Sequence, residues 1–193
     1  CAGVLMLPPF YYKNVSEEGL YRYFSEVVQR VGDLGLRIYL YHIPPVAVVG
    51  ITPKLVERLL QAYPTAIAGM KDSSGDWNNT KTFLEAFAGT SCPTASDFDV
   101  FVGSESFLLA NLRHGGVGTI SATANVNPAA IHSVFAEATT RQEAGSVSGP
   151  RLEALQAKLN VVREMFSSTT FPSMIAALKQ AIASYRNDPE WSR

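Results

Sequence analysis

Cysteine and histidine are scarce in this sequence, and neither follows a metal-binding spacing. The 193 residues include Cys1, Cys92 and three histidines, His42, His114 and His132. Zinc sites use cysteines or histidines in closely spaced pairs, which these residues do not form, so no metal site is expected. Two unspaced cysteines also predict no disulfide between them and are typical of a reduced, cytoplasmic setting.

An excess of one charge and long apolar runs are lacking too. Lys plus Arg number 16 and Asp plus Glu number 17, for a formal net charge of -1 without a basic stripe. This balance predicts neither a nucleic-acid partner nor an anionic membrane as partner. No apolar run approaches the ~20 residues that span a bilayer. Neither G-x-G-x-x-G nor G-x-x-x-x-G-K-[ST] occurs, so the motifs give nucleotide binding no positive support.

What the sequence does have is a regular alternation of short apolar runs and helical patterns. Five apolar runs predict strands: Gly3–Leu7, Arg37–Tyr41, Ala66–Met70, Asp99–Val102 and Gly118–Ser121. None alternates cleanly between polar and apolar residues, which is typical of strands covered on both faces. Because a helix pattern follows each strand, the chain predicts repeated βαβ units and a parallel sheet.

Capping residues mark several of the predicted helices. Three helix starts are predicted by such residues: Ser16, Thr52-Pro53 and Asn127-Pro128. Beyond Asn125 the pattern is helical to the end, with long segments over about 152–166 and 172–185. The stretch Glu143–Arg151, "EAGSVSGPR", predicts a loop between helices rather than a linker between domains.

Two architectures fit this rhythm. One is an open doubly wound sheet. The other is a piece of a (β/α)8 barrel, which needs eight strands and ~250 residues. The pattern alone favours the open sheet, because that fold is complete with five strands. In both architectures the chemistry gathers at the carboxyl ends of the strands.

The third predicted strand ends in a lysine, Lys71, within "AIAGMKDSSGDW". A solvated rim position is the plain interpretation, because a lysine stem can cover apolar surface while its ammonium stays in water. The alternative is imine chemistry, in which a neutral amine attacks a ketone. That role requires the pKa of the lysine to fall from ~10.4 towards ~7–8, and burial at a strand end acts in that direction.

Tyr41 ends the neighbouring strand and could lie beside Lys71. A tyrosine hydroxyl there could shuttle the protons of imine formation, whereas the alternative is a half-buried rim aromatic with its hydroxyl in water. Asp72 follows Lys71 directly. Adjacent strand residues point to opposite faces, so no Lys71–Asp72 ion pair is expected.

Four blocks of the sequence together resemble one family. They are "PPFYYK…SEEGL", "IYLYHIPP", "GMKDSSGD" and "GSESFLLANLRHGGVGTISATANV", in the family's order and spacing from Cys1 to about Pro128. The chain thereby resembles the dihydrodipicolinate synthase / N-acetylneuraminate lyase family. These are class I aldolases that form a Schiff base with pyruvate in a (β/α)8 TIM barrel.

The resemblance implies a set of site residues. Lys71 matches the Schiff-base lysine and Tyr41 the proton-relay tyrosine. Tyr11 matches a tyrosine that reaches into a neighbouring subunit's site, with Tyr12 as its rival because one residue is inserted before "SEEGL". Backbone positions that line the pyruvate pocket are matched by Gly103 and Ile120. No metal or organic cofactor is implied, and the partners would be a 2-keto acid, an aldehyde and further copies in a homo-oligomer.

The resemblance also implies how the chain is organised. Residues 1–127 match strands four to eight of the barrel, and residues 128–193 the last barrel helix with a C-terminal helical extension. The family's first three strands and its glycine-threonine-threonine-glycine-glutamate loop, which binds the pyruvate carboxylate, have no counterpart in this sequence. We therefore expect the 193-residue chain alone to be inactive.

One departure from the family concerns the aldehyde. Val46 and Ala47 stand where dihydrodipicolinate synthases carry an arginine that holds the aldehyde's carboxylate. An aliphatic side chain cannot replace such a bidentate clamp, which disfavours aspartate semialdehyde as substrate. A pyruvate aldolase or lyase that acts on another aldehyde is the expected activity. A sugar-acid dehydratase or hydratase-aldolase that uses the same imine is the alternative. The alternative of another class is a non-catalytic βα binding module.

Overall fold

The computed structural model describes the chain in four stretches: residues 3–87, 98–143, 145–167 and 173–192. Both cysteines lie outside the described residues, as does Pro172 at the start of the last predicted helix. The absence of a disulfide therefore stays a prediction.

The described residues form one parallel sheet of five strands in chain order. The strands are β1 (Val4–Met6), β2 (Ile38–His42), β3 (Ile67–Asp72), β4 (Asp99–Val102) and β5 (Gly118–Thr119). Each predicted strand is present, with ends displaced by at most two residues. The whole of β3 is buried, as its unbroken apolar run predicted.

Helices follow the strands as the βαβ pattern predicted. They are α1 (Glu17–Val31), α2 (Pro44–Ala47), α3 (Pro53–Ala62), α4 (Trp77–Phe87), α5 (Leu108–Arg113), α6 (Pro128–Glu143), α7 (Pro150–Ser167) and α8 (Met174–Arg186). Short 3-10 helices span Glu105–Phe107, Ala122–Asn125 and Pro189–Ser192. The Ser16 and Thr52 caps are confirmed, because each hydroxyl accepts a hydrogen bond from a first-turn amide. None of the helices in these stretches is long and apolar enough to cross a bilayer.

The short helix α2 was not predicted from the sequence. Pro44 and Pro45 occupy its first two positions, where a missing N–H costs nothing. Val48, the residue that caps its C-terminal end, has a φ of 66°, which is unusual for a β-branched residue. This single turn places Val46 on the surface with 54% exposure and Ala47 fully inside.

The helices pack on one face of the sheet, which is the outer face of a barrel. Strand residues pointing outward, among them Ile38, Leu40, Met70 and Val100, are buried with residues of α1, α3 and α4. A second apolar cluster joins α5, α6 and α7. The strand alternation sends Tyr39 and Phe101 to the opposite, inner face, where their rings meet edge to face at 5.7 Å.

This arrangement decides between the two architectures. A doubly wound sheet reverses its strand order at a switch point and carries helices on both faces. Here the order is sequential and the inner face opens into a cavity of about 260 Å³, lined by Gly3, Val4, Leu5, Tyr39, Phe101 and Ile120. The open sheet that the pattern alone favoured is therefore wrong, and the barrel portion implied by the resemblance is correct.

Candidate active site

Lys71 and Tyr41 meet on the inner face at the carboxyl ends of β2 and β3. The strand register pairs them directly, Tyr41 with Lys71. Lys71 Nζ donates a hydrogen bond to Tyr41 Oη at 3.0 Å and lies 4.2 Å from the centre of the tyrosine ring. Lys71 is 9% exposed, which excludes the solvated rim interpretation. A buried amine beside a phenol can attack a carbonyl while the phenol transfers protons.

The strand holding Lys71 is fixed by the turn that follows it. Ser73 N donates to the His42 carbonyl and Gly103 N to the Asp72 carbonyl, both at 2.7 Å. These bonds join the ends of β2, β3 and β4. At Gly103 a Cβ would lie 2.1 Å from Ser73 Oγ, so only glycine allows this approach.

Asp72 points to the outer face, as the alternation predicted, and anchors the turn from there. Its Oδ1 accepts from Ser74 N at 2.8 Å, and its Oδ2 accepts from Thr80 Oγ1 at 2.6 Å and Asn79 Nδ2 at 3.1 Å. With 3% exposure, this carboxylate is buried with its acceptor sites in use. It holds the end of β3 from the side opposite Lys71.

His42 adjoins Asp72 on the outer face, with Nε2 4.0 Å from Asp72 Oδ1. Its Nδ1 accepts a hydrogen bond from Ile51 N at 2.9 Å, so Nε2 carries the proton of the neutral ring. Burial lowers the pKa of His42, and the nearby Asp72 carboxylate opposes this effect in part. Nothing in the sequence indicated this pair beyond its place next to Tyr41 and Lys71.

A second polar pair on the inner face was also missed. Tyr39 Oη donates to Asp99 Oδ2 at 2.9 Å, one strand step below the Lys71–Tyr41 pair. Burial, with the hydrogen bond to Asp99, raises the pKa of Tyr39. Gly69 lies between these residues, and a Cβ there would come within 2.3 Å of the Asp99 carbonyl oxygen. The strict period of two along β2 is the signal that could have placed Tyr39 below Tyr41.

The comparison with known proteins identifies the family. The model of the dihydrodipicolinate synthetase family matches residues 1–187. The chain belongs to this family. It is 31% identical over 188 residues to an uncharacterized DapA-like lyase of Chloroflexus aurantiacus, covering 97% of this chain and 56% of that protein. It is 45% identical over 127 residues to the 4-hydroxy-tetrahydrodipicolinate synthase of Thermus thermophilus, and the match covers 65% of this chain and 38% of that protein.

Solved structures of the family superimpose on the chain. Dihydrodipicolinate synthase from Agrobacterium tumefaciens has a TM-score of 0.73 at 31% identity, covering 99% of this chain and 57% of that one. YagE of E. coli K12, a prophage protein of the same family solved with pyruvate, has a TM-score of 0.76 at 26% identity, covering 94% and 55%. The chain thus spans about half the length of the relatives it matches.

The other residues that the dihydrodipicolinate synthetase family implied are distributed around the strand ends. The Ile120 amide donates to the Val102 carbonyl at 3.0 Å, and its side chain faces the inner cavity. Tyr11 and Tyr12 are 80% and 76% exposed, and their ring centres lie 5.3 Å apart. Neither hydrogen-bonds to Lys71 or Tyr41 in the described part of the chain. The structure therefore brings together Lys71 and Tyr41 but leaves both tyrosines of the loop after β1 in solvent.

No cation site is apparent near this pair. Within the stretches that the structure describes, no group of three or more His, Cys, Asp or Glu residues converges as metal ligands. A cation does contact α2, because Lys13 Nζ donates to the Val46 carbonyl at 3.1 Å. An ammonium thus lies beside the position where an arginine was expected.

Proposed function

We propose that this chain carries the imine-forming residues of a pyruvate-dependent class I aldolase or lyase. The observation that carries the proposal is the buried Lys71–Tyr41 pair, 3.0 Å apart at the strand ends of a dihydrodipicolinate synthetase family member. The bound pyruvate of the relative YagE supports a 2-keto acid as the partner of Lys71. The scarcity of cysteine supports a cytoplasmic setting.

In the proposed reaction the neutral Lys71 Nζ adds to C2 of pyruvate, and the proton that Nζ loses passes to the former carbonyl oxygen, which gives a neutral carbinolamine. The carbinolamine hydroxyl takes up a second proton and leaves as water, and an iminium remains on Lys71. The Tyr41 hydroxyl is close enough to Nζ to pass both protons, a role worth on the order of 10²–10⁴ in rate. Loss of a proton from the methyl carbon then gives an enamine that adds to the aldehyde.

Other residues complete the site in this proposal. The backbone at Gly103 and Ile120 lines the pyruvate pocket, because both positions lie at strand ends next to β3 and β4. Tyr11, exposed to solvent in this chain, reaches the site of a neighbouring copy in a homo-oligomer, with Tyr12 as the alternative. Large, rigid aromatic side chains in solvent are favoured anchors of such interfaces.

Pyruvate with borohydride tests the proposal in the full-length protein. Reduction of the imine should leave a stable adduct on the peptide that contains Lys71, detected by mass spectrometry. Lys71→Ala should abolish the adduct. Lys81, which pairs with Glu85 on the solvent-facing side of α4, offers a matched control, since Lys81→Ala should label like the unmodified protein. An adduct on Lys13 or Lys81 in place of Lys71 would refute the assignment.

The aldehyde is proposed to differ from aspartate semialdehyde. Val46 and Ala47 on α2 offer no bidentate donor for its carboxylate. A lost charge-assisted hydrogen bond is worth roughly 1.5–3 kcal/mol, or about 10–150-fold in kcat/KM. A panel of aldehydes assayed with pyruvate should therefore rank aspartate semialdehyde below sugar-derived aldehydes by about this factor. Turnover of aspartate semialdehyde as the best substrate of the panel would contradict the inference.

The second candidate is a sugar-acid dehydratase or hydratase-aldolase that uses the same imine. The same observation favours it, since Val46 and Ala47 remove the aldehyde clamp and leave Lys71 and Tyr41 in place. Product analysis separates the two, because an aldolase releases pyruvate from a 2-keto-3-deoxy acid and a dehydratase releases water with the carbon chain intact.

Residues 1–193 expressed alone are proposed to be inactive. The strands β1 and β5 form sheet edges with unpaired backbone groups, and Val4 and Leu5 on β1 are each 39% exposed. Within the described residues no strand lies beyond β1 or β5, so the inner face at Tyr39 and Phe101 borders an open cavity. Such a chain should bind hydrophobic dyes and turn over little substrate. A monomer that melts cooperatively and binds pyruvate without turnover would instead favour the non-catalytic binding module.

A further inference from the structure

We infer that Glu105 is a positioning residue that holds both proposed pyruvate-pocket turns, and that helix α7 fixes it there. The inference rests on the proposed function, because the pocket positions Gly103 and Ile120 belong to that proposal. Glu105 begins the 3-10 helix after β4, two residues beyond Gly103. It is 1% exposed on a chain whose other glutamates are mostly at the surface.

The carboxylate of Glu105 joins the turn after β4 to the turn after β5. Its Oε2 accepts a hydrogen bond from Ser121 Oγ and its Oε1 accepts one from Thr123 Oγ1. The two hydroxyl oxygens lie 3.0 Å from each other. Ser121 follows Ile120 directly, so the carboxylate fixes the backbone on which Ile120 lines the inner cavity.

Helix α7, on the outer side of the sheet, contributes the remaining residues of this cluster. Arg163 Nη1 is 3.8 Å from Glu105 Oε2, with the arginine side chain 22% exposed and the glutamate side chain 2% exposed. Gln156 Nε2 donates to the Glu105 carbonyl at 3.0 Å, and Gln156 Oε1 accepts from Leu109 N at 3.1 Å. The α7 side chains thus contact both the charge and the backbone of Glu105.

The chemistry of this cluster indicates positioning rather than packing alone. A buried carboxylate is costly unless it is hydrogen-bonded and paired, and an apolar side chain would dock α7 without that cost. A carboxylate with two directed acceptors fixes two turns at once, whereas apolar contacts are not directional. Because a shift of ~1 Å at a reacting centre can cost ~10²-fold, fixing these turns matters for pyruvate.

Two variants, each with a control variant, test the inference in the full-length protein. Thr123→Val removes one hydrogen bond to Glu105 at nearly constant shape, and Thr123→Ser keeps the hydroxyl. Arg163→Met removes the paired charge. Arg113→Met is the matched control, since Arg113 also joins α7 to the sheet side through Glu153 and the Val147 carbonyl but does not contact Glu105. Borohydride trapping against pyruvate concentration, steady-state kinetics and thermal melting are measured on each.

We expect Thr123→Val and Arg163→Met to raise the half-saturating pyruvate concentration about tenfold or more, within the range set by misplacement. Thr123→Ser should restore it, and Arg113→Met should leave it unchanged even if its melting temperature falls. If all variants have the same half-saturating pyruvate concentration and still form the adduct on Lys71, the positioning role of Glu105 is overturned while the proposed function stands. If the unmodified protein forms no adduct, the proposed function fails and this inference with it. Should Arg163→Met not fold, the Thr123 pair decides the question.

Discussion

The two faces of the sheet differ in what their polar residues do. On the inner face Lys71 donates a hydrogen bond to Tyr41, two residues along β2 from Tyr39, which lines an open cavity. On the outer face Asp72 and His42, the next residues along the same strands, are buried under helices and bonded to turns. The proposed reactive residues and the residues that fix the turns therefore alternate along β2 and β3.

The difference shows how a strand end can be held in place without using the side chain of Lys71. In the proposed reaction Lys71 must be free to attack a carbonyl, so its own side chain cannot be the anchor. Asp72 supplies the anchor from the opposite face, through the turn at Ser74 and the start of α4 at Thr80. Changes on the inner face should thus alter chemistry at nearly constant stability, and changes on the outer face should alter stability first.

The largest expected effect is that of Tyr41→Phe on the inner face. Removal of the hydroxyl that Lys71 contacts should slow imine formation by about 10²–10⁴-fold, the range of general acid–base catalysis. The ring remains, so the unfolding free energy should change by less than about 1 kcal/mol. Rapid-quench borohydride trapping gives the rate, and urea unfolding gives the stability. A variant that unfolds early but traps pyruvate at the normal rate would reverse the roles of the two faces.

The strands, most helices and the Lys71–Tyr41 pair could be predicted from the sequence, because each depends on local pattern. Continuous apolar runs predict parallel strands that are buried on both faces. Ser16 and Thr52 can be recognised as helix caps from the sequence, because their hydroxyls stand directly before a helical pattern. The pairing of Tyr41 with Lys71 followed from their equivalent places at the ends of neighbouring strands. The choice of a barrel over a doubly wound sheet required the family resemblance.

What could not be predicted depends on contacts between residues far apart in the chain. Glu105 lies 16 residues from Ser121 and 51 from Gln156, and nothing in "GSES" shows which helix will cover it. The Tyr39–Asp99 hydrogen bond spans 60 residues. Such contacts depend on the register in which neighbouring strands pair. A register shift of one residue would move every side chain of a strand to the other face of the sheet.

Asp72→Ala on the outer face should give the next largest effect, on stability. The substitution leaves the Thr80 hydroxyl and the Ser74 amide without their acceptor in a buried place. We expect a loss of about 2–4 kcal/mol of unfolding free energy in urea titrations. Lys71→Ala should cost less, since its amine has one hydrogen-bonded neighbour.

Asp76→Asn is the matched control for Asp72→Ala. Asp76 is exposed in the same turn, its Oδ1 accepts from Asn78 N at 2.9 Å, and asparagine caps a helix equally well. The unfolding free energy of this variant should stay within about 0.5 kcal/mol of the unmodified protein. If Asp72→Ala is no less stable than Asp76→Asn, the outer face is not what anchors the end of β3.

The smallest expected effect is a pH dependence of stability that belongs to His42 on the outer face. Burial lowers the pKa of His42 in the folded protein, whereas in the unfolded chain it has the ordinary value of ~6.5. As pH falls below that value, the unfolded chain takes up the proton first, so this contribution to stability is present above pH ~6.5 and is lost as pH falls towards the lower folded pKa. One proton changes the unfolding free energy by at most about 1.4 kcal/mol per pH unit.

His42→Asn isolates this contribution, because an asparagine oxygen can accept from Ile51 N in place of Nδ1. Unfolding free energies of both proteins are measured between pH 8 and pH 5. The exposed His114 and His132 are present in both, so their contributions cancel in the difference. The original protein should lose more stability than His42→Asn as the solution is acidified below about pH 6.5. Parallel curves would show that His42 gains a proton as readily when folded as when unfolded, and that the nearby Asp72 carboxylate fully offsets its burial.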